Sequence, residues 1–361
     1  MRLMSIQNVK ENMQVARNIY SVDGKVLLAE GVSLTAKYIG RLQELGIMSL
    51  YITDQRIGKV EVDDLVRVQT RVQAMKEVKE VMGKIRDGRS VSGEKIYQVI
   101  SEVLDEILGN RSVSFSLVDI RAINDYLFGH CLTVCILSLM TGVAAGYNFS
   151  RLRDLAMGAI LHDVGKVLIA DDILNKAGKL TAEEFAAIQK HAQLGYDILK
   201  KCNDISSVSS HIAWQHHEKF NGTGYPRGLK GKEIHEFARI AAVADVYDAL
   251  STDRIYRKRW LPHEVLEFIR DKDKTDFDPD FSKLFLDNIA PFPIGSMVLL
   301  NNGETGVVIK VSKKFAARPL VRVLFEANGV ALAQPSDKNL KEDLTLFIVK
   351  ALKDDETNAS A

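Results

Sequence analysis

Apolar residues recur at helical spacing through the middle of this chain, between about residues 115 and 290. Glycine, proline and short polar stretches interrupt the pattern and mark where one helix ends and the next begins. The residues Thr181-Ala-Glu-Glu184 match a capping box, which is a typical helix start. The pattern therefore predicts an all-helical domain over residues 115–290. Its helices are expected near 130–146, 151–162, 182–200, 205–218, 236–250 and 263–270.

The first 60 residues follow a different pattern, in which short apolar runs alternate with turn signals. Asp23-Gly24 is a hairpin turn signal, and residues 25–29 after it read as a strand. Residues 35–45 are typical of a helix that Gly46 ends, and residues 47–53 of a second strand. This predicts a small α/β accessory domain over residues 1–60, without a catalytic set of its own.

The pattern changes again after Pro291, where short β-like runs replace the helical spacing. Asn302-Gly303 and Asn328-Gly329 are hairpin signals between these runs. They predict a small β-barrel-like domain over residues 291–353, followed by a disordered tail at 354–361. The β-like runs are 297–300, 306–310 and 320–325.

Residues 61–114 are interpreted as a helical linker between the first two domains. In residues 61–88, apolar side chains fall near a three-four alternation. Such a helix either forms a short coiled-coil seam that makes the chain a homodimer, or lies against its own domain, and the pattern fits both. The apolar positions are Leu65, Val68, Val72, Met75 and Met82.

Bulk composition narrows the class of protein. A length of 361 residues predicts two or three domains, here a mainly α, multi-domain chain. With 48 Lys and Arg against 47 Asp and Glu, no large field favours DNA or an anionic membrane. Three cysteines in apolar context indicate reduced thiols, and no apolar signal region follows Met1, so a cytoplasmic location is expected. The apolar run 132–145 is short for a membrane span and is interpreted as a buried core helix.

Seven histidines and aspartates in the helical region suggest a metal centre. His162-Asp163 ends an apolar helix, and adjacent helical residues point about 100° apart, so one ion seldom takes both as ligands. Two ions can use both residues if the carboxylate bridges them. Such a pair can also hold a bridging hydroxide against a phosphate. Nitrogen and oxygen donors without cysteine argue against a structural zinc site and favour iron or manganese, with zinc, nickel and cobalt as alternatives. Each histidine alone fits an ordinary core or surface position, but the set favours a cluster: His130, His162, Asp163, His191, His216, His217 and Asp245.

The ordered motifs resemble the HD-GYP family, a branch of the HD phosphohydrolase superfamily, over about residues 120–290. The match runs through His162-Asp163-Val-Gly-Lys166, residues 173–181, residues 190–195, His216 to Arg227 and Asp245 to Arg257. The resemblance implies an all-helical HD-type catalytic domain. It also implies hydrolysis of cyclic di-GMP, a bacterial second messenger, to linear pGpG and often on to GMP. Diguanylate cyclases or other signalling proteins would then be partners.

The resemblance also implies roles for individual residues. Asp163 and Lys166 would be catalytic, with Lys166 on the phosphate near the ions. The seven residues of the cluster would be metal ligands. Arg254 and Arg257 would hold phosphate oxygens, with Arg254 suited to a bidentate contact. A loop would shape the substrate pocket with Gly222, Gly224, Tyr225 and Pro226.

Two positions depart from the family pattern. Some members carry Glu four residues before the first ligand histidine, where it helps to hold a third metal, whereas this chain has Tyr126. Two ions are therefore expected. In the loop, Lys219-Phe-Asn221 replaces Arg-x-Asp, which removes the guanidinium fork and a carboxylate that could position the loop.

Two other functions fit the same motifs. One is a cyclic-dinucleotide receptor that keeps the pocket but turns over weakly. The other is a hydrolase of a different cyclic dinucleotide, such as a cyclic GMP-AMP hybrid. The complete ligand set favours an enzyme over the receptor.

Overall fold

The computed structural model describes most of the chain as a mainly helical molecule with small β-sheets near its two ends. The residues that it does not describe are 22–23, 48, 59, 61, 63, 90–91, 111–125, 177, 253–258, 313–314 and 354–361, together with the side chain of Tyr126. The α-helices are α1 (Ala36–Glu44), α2 (Val68–Arg86), α3 (Glu94–Gly109), α4 (Tyr126–Ala144), α5 (Phe149–Ile160), α6 (Asp171–Leu174), α7 (Ala182–Leu199), α8 (Ser207–Gln215), α9 (Glu236–Ser251), α10 (Pro262–Asp271) and α11 (Pro279–Asn288). The strands are β1 (Arg2–Ser5), β2 (Ile19–Tyr20), β3 (Val26–Leu28), β4 (Ser49–Ile52), β5 (Met297–Leu300), β6 (Thr305–Lys310), β7 (Leu320–Phe325), β8 (Ala331–Asn339) and β9 (Ile348–Ala351).

Helix α4 is the centre of the helical domain, and it packs against α2, α5, α9 and α11. Its residues are apolar around nearly the whole circumference, as expected for a helix that is buried on all sides. Among the described helices, it has the length and composition to span a membrane, over Leu127–Ala144, but 78% of that window is buried inside the protein. The prediction of a buried core helix over residues 132–145 is confirmed.

Helices α2 and α3 join the same core. Val78 and Met82 of α2 lie in one buried cluster with Ile100 and Leu104 of α3 and with residues of α4. These residues of α2 are thus buried within their own chain, whereas Val68, Val72 and Met75 of the predicted seam are only partly buried, so both interpretations of residues 61–88 stay open. Helix α2 also contacts the 3-10 turn Val164–Leu168, directly after His162-Asp163.

The six helices predicted between residues 115 and 290 are present with ends shifted by up to about four residues, and two further helices were missed. Helix α6 has only one turn. Helix α11 carries a start signal in the sequence, because Asp278 accepts hydrogen bonds from the backbone N–H groups of Asp280 (2.9 Å) and Phe281 (3.3 Å), and Pro279 follows it.

The two ends of the chain contact each other. Strands β1 and β4 pair antiparallel, as do β2 and β3, and the C-terminal strands form one antiparallel sheet in the order β8-β7-β6-β5-β9. The Leu3 N–H donates to the Gly295 carbonyl (3.0 Å), and the Arg322 guanidinium donates to the Ile57 carbonyl (2.6 Å). Pairing between β8 and β9 is absent from the described part of the chain, so closure into a barrel stays a prediction, as do the domain limits.

Candidate metal centre

The end of α5 delivers the His-Asp pair to the middle of the helical domain. Helix α5 ends at Ile160, and His162 and Asp163 occupy the turn before the 3-10 segment Val164–Leu168. Gly165 lets this segment press against α7, since a Cβ there would lie 2.0 Å from the carbonyl oxygen of His191. The sequence thereby places Asp163 beside a histidine from another helix.

The structure brings the seven predicted ligands together in two groups, each with ligand atoms within 4.8 Å of one another. Helices α4 and α9 contribute to one group, and α7 and the end of α8 contribute to the other. Six of the seven residues are buried, and His217 is partly exposed. We call the two sets the His130 group (His130, His162 and Asp245) and the His191 group (Asp163, His191, His216 and His217).

Asp163 lies between the two groups, with one carboxylate oxygen toward each. Its Oδ1 is 3.5 Å from Nε2 of His191 and 3.7 Å from Nε2 of His216. Its Oδ2 is 3.3 Å from Nε2 of His162 and 3.6 Å from Nε2 of His130. A carboxylate in this position can bridge two cations, which is the geometry expected from the adjacent His-Asp ligands.

Three imidazoles are oriented by backbone carbonyls. In each, Nδ1–H donates to a carbonyl oxygen, which leaves Nε2, directed toward Asp163, as the nitrogen that a cation could bind. His162 Nε2 and Asp163 Oδ1 are buried and have no hydrogen-bond partner among the described residues. A cation bound to these two atoms would satisfy them. The residues therefore fit divalent metal ions. The carbonyl acceptors are Ala159 for His162 (2.8 Å), Ile188 for His191 (2.6 Å) and Ile212 for His216 (3.0 Å).

His130 is held in a different way, between two carboxylates. Its Nδ1 lies 2.7 Å from Oδ2 of Asp248, and its Nε2 lies 3.1 Å from Oδ1 of Asp245. Burial opposes a charge on His130, but hydrogen bonds to Asp245 and Asp248 outweigh it and raise the pKa of His130 to about 9. The role of Asp248 was missed in the sequence. Its spacing of one helical turn after Asp245 was the available signal.

The histidines of the His191 group are held neutral. Burial lowers the pKa of His217 to about 3 and outweighs the attraction of Asp245. Burial, with the neighbouring histidines, also holds the pKa of His216 well below its usual range, and burial lowers that of His191. Neutral imidazoles are the form that binds a metal ion.

Lys166 lies against Asp163, where its Nζ is 2.5 Å from Oδ2. Burial works against the charge of this lysine, but Asp163 and Asp245 outweigh it and raise the pKa of Lys166. Burial likewise opposes the charge of Asp163, and Lys166 with His162 holds the pKa of that carboxyl well below its usual range. Lys166 thus adds a fixed positive charge beside the shared carboxylate.

The loop with Gly222, Gly224, Tyr225 and Pro226 lies directly on the His191 group. The ring of Tyr225 stacks on His217 with 4.7 Å between centroids, and its N–H donates to the carbonyl of His217 (3.2 Å). Gly224 permits this approach, because a Cβ there would lie 2.3 Å from the backbone nitrogen of Lys219. The loop therefore covers one predicted ligand with an aromatic ring.

Buried Glu218 fixes the other end of this loop. Its carboxylate accepts hydrogen bonds from the backbone N–H groups of Arg227 (2.8 Å) and Leu229 (2.9 Å). Its position directly after His216-His217 is the signal that the sequence offers for this residue.

The two departures in the loop have structural explanations. Lys219 forms an ion pair with Asp276 (2.9 Å). The Asn221 Oδ1 accepts hydrogen bonds from the N–H (2.9 Å) and the hydroxyl (2.7 Å) of Thr223, as a carboxylate oxygen would. Asn221 therefore keeps a positioning oxygen for the loop.

Three predicted positions are not tested by this geometry. Arg254 and Arg257 lie outside the described residues. Tyr126 begins α4, but its side chain is not described, so the choice of two ions over three stays a prediction.

Comparison with known families agrees with these motifs. Residues 118–281 match the family model of the HD domain, and residues 297–360 match that of a KOW domain associated with HD domain. The HD domain model matches just under half of the chain, so the helical region over residues 118–281 is similar to HD domains. The resemblance to the HD-GYP proteins is confirmed, and the β-rich C-terminal region has a family description of its own.

Several relatives are named for cyclic dinucleotide hydrolysis. A cyclic di-GMP phosphodiesterase of Pseudomonas aeruginosa, PA4108, is 32% identical over 68% of this chain and 59% of its own length. The response regulator RpfG of Xanthomonas campestris, also named a cyclic di-GMP phosphodiesterase, is 41% identical over 37% of this chain and 36% of its own length. A 3'3'-cGAMP-specific phosphodiesterase of Vibrio cholerae is 43% identical over 37% of this chain and 26% of its own length.

The matches cover only part of these relatives, from about a quarter to about 59% of their lengths. Among solved structures, the protein Bd1817 of Bdellovibrio bacteriovorus aligns with a TM-score of 0.49 and 18% identity, over 79% of this chain and 98% of that one.

Proposed function

We propose that this chain is a metal-dependent phosphodiesterase that hydrolyses cyclic di-GMP to pGpG. The observation that carries the proposal is the position of Asp163, with one oxygen toward each of two histidine groups. A purely structural cluster would not need buried donor atoms without partners, such as His162 Nε2. The names of the relatives support the choice of substrate.

The residues divide the chemistry among themselves. Two divalent ions, iron or manganese by the nitrogen and oxygen donors of the two groups, would supply the Lewis acidity that activates water and offsets phosphate charge. Asp163 would hold both ions at a fixed separation. Lys166 would place its charge beside the phosphate oxygens on the partly exposed side of the centre. No serine or cysteine nucleophile is needed.

The test is product identification on protein purified without oxygen. The parental protein is expected to convert cyclic di-GMP to pGpG, and Asp163→Ala is expected to lose turnover and bound metal together. Because the alanine leaves a cavity beside Lys166, Asp163→Asn serves as a second variant that keeps the volume and an acceptor oxygen for Lys166. Asp197→Ala, on the exposed face of α7, is the control that should retain both. Parental turnover by Asp163→Asn would refute the proposal.

Cyclic GMP-AMP is a second candidate substrate, because a Vibrio cholerae relative at 43% identity is named for it. Competition between the two dinucleotides at equal concentration separates the candidates. A higher kcat/KM for the hybrid would replace cyclic di-GMP in the proposal.

A cytoplasmic location, signalling partners such as a diguanylate cyclase, and a homodimer through residues 61–88 also stay proposals. The homodimer would use Val68, Val72 and Met75 of α2, which are only partly buried. Molar mass from light scattering tests the homodimer, and a monomer would rule it out.

A further inference from the structure

The exposure of the side chains shows from which side the metal centre can be reached. His217 is 26% exposed, Lys166 23% and Asp245 11%, whereas the other predicted ligands are at most 3% exposed. Solvent therefore reaches the centre beside His217 and Lys166. We call this the open side of the centre.

Two aromatic rings extend outward from His217 on the open side. Tyr225 stacks on the imidazole, and Phe185 of α7 makes an edge contact with Tyr225, with 6.3 Å between their centroids. The Phe185 ring lies within about 11 Å of the His217 ring along this path. It is 47% exposed, while Tyr225 is partly buried.

An exposed aromatic ring at this distance suits a nucleobase. In a cyclic dinucleotide each base is one ribose away from the phosphate, so a phosphate at the metal centre places a base over the rim of the site. Aromatic side chains bind bases by stacking on their faces, and the contact tolerates any base. The edge contact with Tyr225 leaves Phe185 surface free for such a stack.

We propose that Phe185 is a substrate-binding residue that stacks on a purine base of the cyclic dinucleotide. This rests on the proposed function, because the base is placed by a phosphate at the metal centre. Phe185 contributes affinity for the dinucleotide and does not distinguish guanine from adenine.

Phe185→Ala tests the proposal with Phe149→Ala as matched control. Phe149, at the start of α5, is 48% exposed and lies in a separate surface pocket with Tyr97 and Arg153. We expect Phe185→Ala to raise KM for cyclic di-GMP about tenfold, with kcat within about twofold, since one base stack is worth about a factor of ten or more in affinity. The control should leave both constants unchanged.

Two further variants separate stacking from support of Tyr225. Phe185→Leu keeps an apolar contact with Tyr225 but lacks a ring face, so KM should rise as in Phe185→Ala. Phe185→Trp keeps a ring face and should have the parental KM. If Phe185→Leu restored it equally, the residue would only support Tyr225, and the proposal would be overturned.

Tryptophan fluorescence can detect the stack directly, without turnover. On rapid mixing with cyclic di-GMP, the added indole of Phe185→Trp should be quenched by the stacked guanine, relative to a Phe149→Trp control that carries the same background from Trp214 and Trp260. Parental turnover with no change in KM and no quenching would overturn the inference alone. Quenching without turnover in the parental protein would overturn the proposed function and retain the stack, whereas absence of both would overturn both.

Discussion

The two histidine groups of the centre are built from the same kinds of residue but differ in how one ring, that of His130, is held. In the His191 group, His191 and His216 donate Nδ1–H to backbone carbonyls, and burial lowers their pKa. In the His130 group, His130 lies between Asp245 and Asp248 and has its pKa raised to about 9. The raised pKa of His130 predicts that a cation has to displace a proton from this ring, whereas the lowered pKa values of His191 and His216 favour rings that bind a cation directly.

This difference follows from what faces the second nitrogen of each ring. A carbonyl oxygen fixes the tautomer without a full charge, so burial dominates and the imidazole stays neutral. Two carboxylates outweigh burial and keep the imidazole charged. The comparison predicts that the ion of the His191 group binds first, and that the ion of the His130 group depends on pH.

The largest expected effect is the loss of metal when the shared carboxylate of Asp163 is removed. It should exceed the loss caused by removing a predicted ligand of one group. Asp163→Asn should weaken both ions by at least the roughly 10–100-fold that loss of an outer partner costs, because both groups face this carboxylate. His130→Ala should remove the ion of its own group and leave the other bound. Metal content after dialysis measures this. Loss of both ions in His130→Ala would show that the two groups bind as one.

The next effect is the pH dependence of the two ions. Because the pKa of His130 is raised to about 9, this ring keeps its proton below that pH, and the affinity of its group should fall about tenfold for each pH unit below about 9. In the His191 group the pKa values are lowered, that of His217 to about 3, so affinity should stay nearly constant down to about pH 6. Metal titrations across this range measure both. A single common profile for the two ions would contradict the comparison.

The motifs predict the candidate ligands but not this difference. An unperturbed histidine titrates near 6.5, so spacing alone gives one pH range for all five rings. The order of His130, His162 and the later motifs predicts the set of candidate ligands. Helical periodicity predicts the helices on which they lie. Which groups face the second nitrogen depends on how α4 meets α9, and that contact joins residues 118 positions apart.

The fold shows the same limit. The close approach of Gly165 to α7 and the contact of Arg322 with Ile57 depend on segments far apart in the chain, so no local pattern signals them. Helix α11 was missed for another reason, since its Asp278-Pro279 start was visible in the sequence. Local signals thus predict elements well when they are read completely, whereas the packing between elements needs the structure.

A smaller effect is expected from the residue that sets the charge of His130. Asp248→Asn keeps an oxygen for the hydrogen bond but removes the carboxylate charge, so the pKa of His130 should fall by about 1–3 units. The pH below which the ion of the His130 group weakens should fall with it, while the His191 group is unchanged. The same titrations measure this, with Asp197→Asn as the exposed control. An unchanged profile would mean that Asp248 does not set the charge of this ring.

The smallest effect is expected in the loop, which touches only the His191 group through His217. Asn221→Asp should change turnover by no more than about twofold, because either side chain offers Thr223 the same acceptor oxygen and surface exchanges cost little. Asn221→Ala, which removes that oxygen, is the matched variant expected to lower kcat/KM further. The measurement is cyclic di-GMP turnover with metal content held constant. If Asn221→Asp raised turnover about tenfold, the carboxylate would act beyond positioning Thr223, and the loop would count as a part of the His191 group rather than a cover over it.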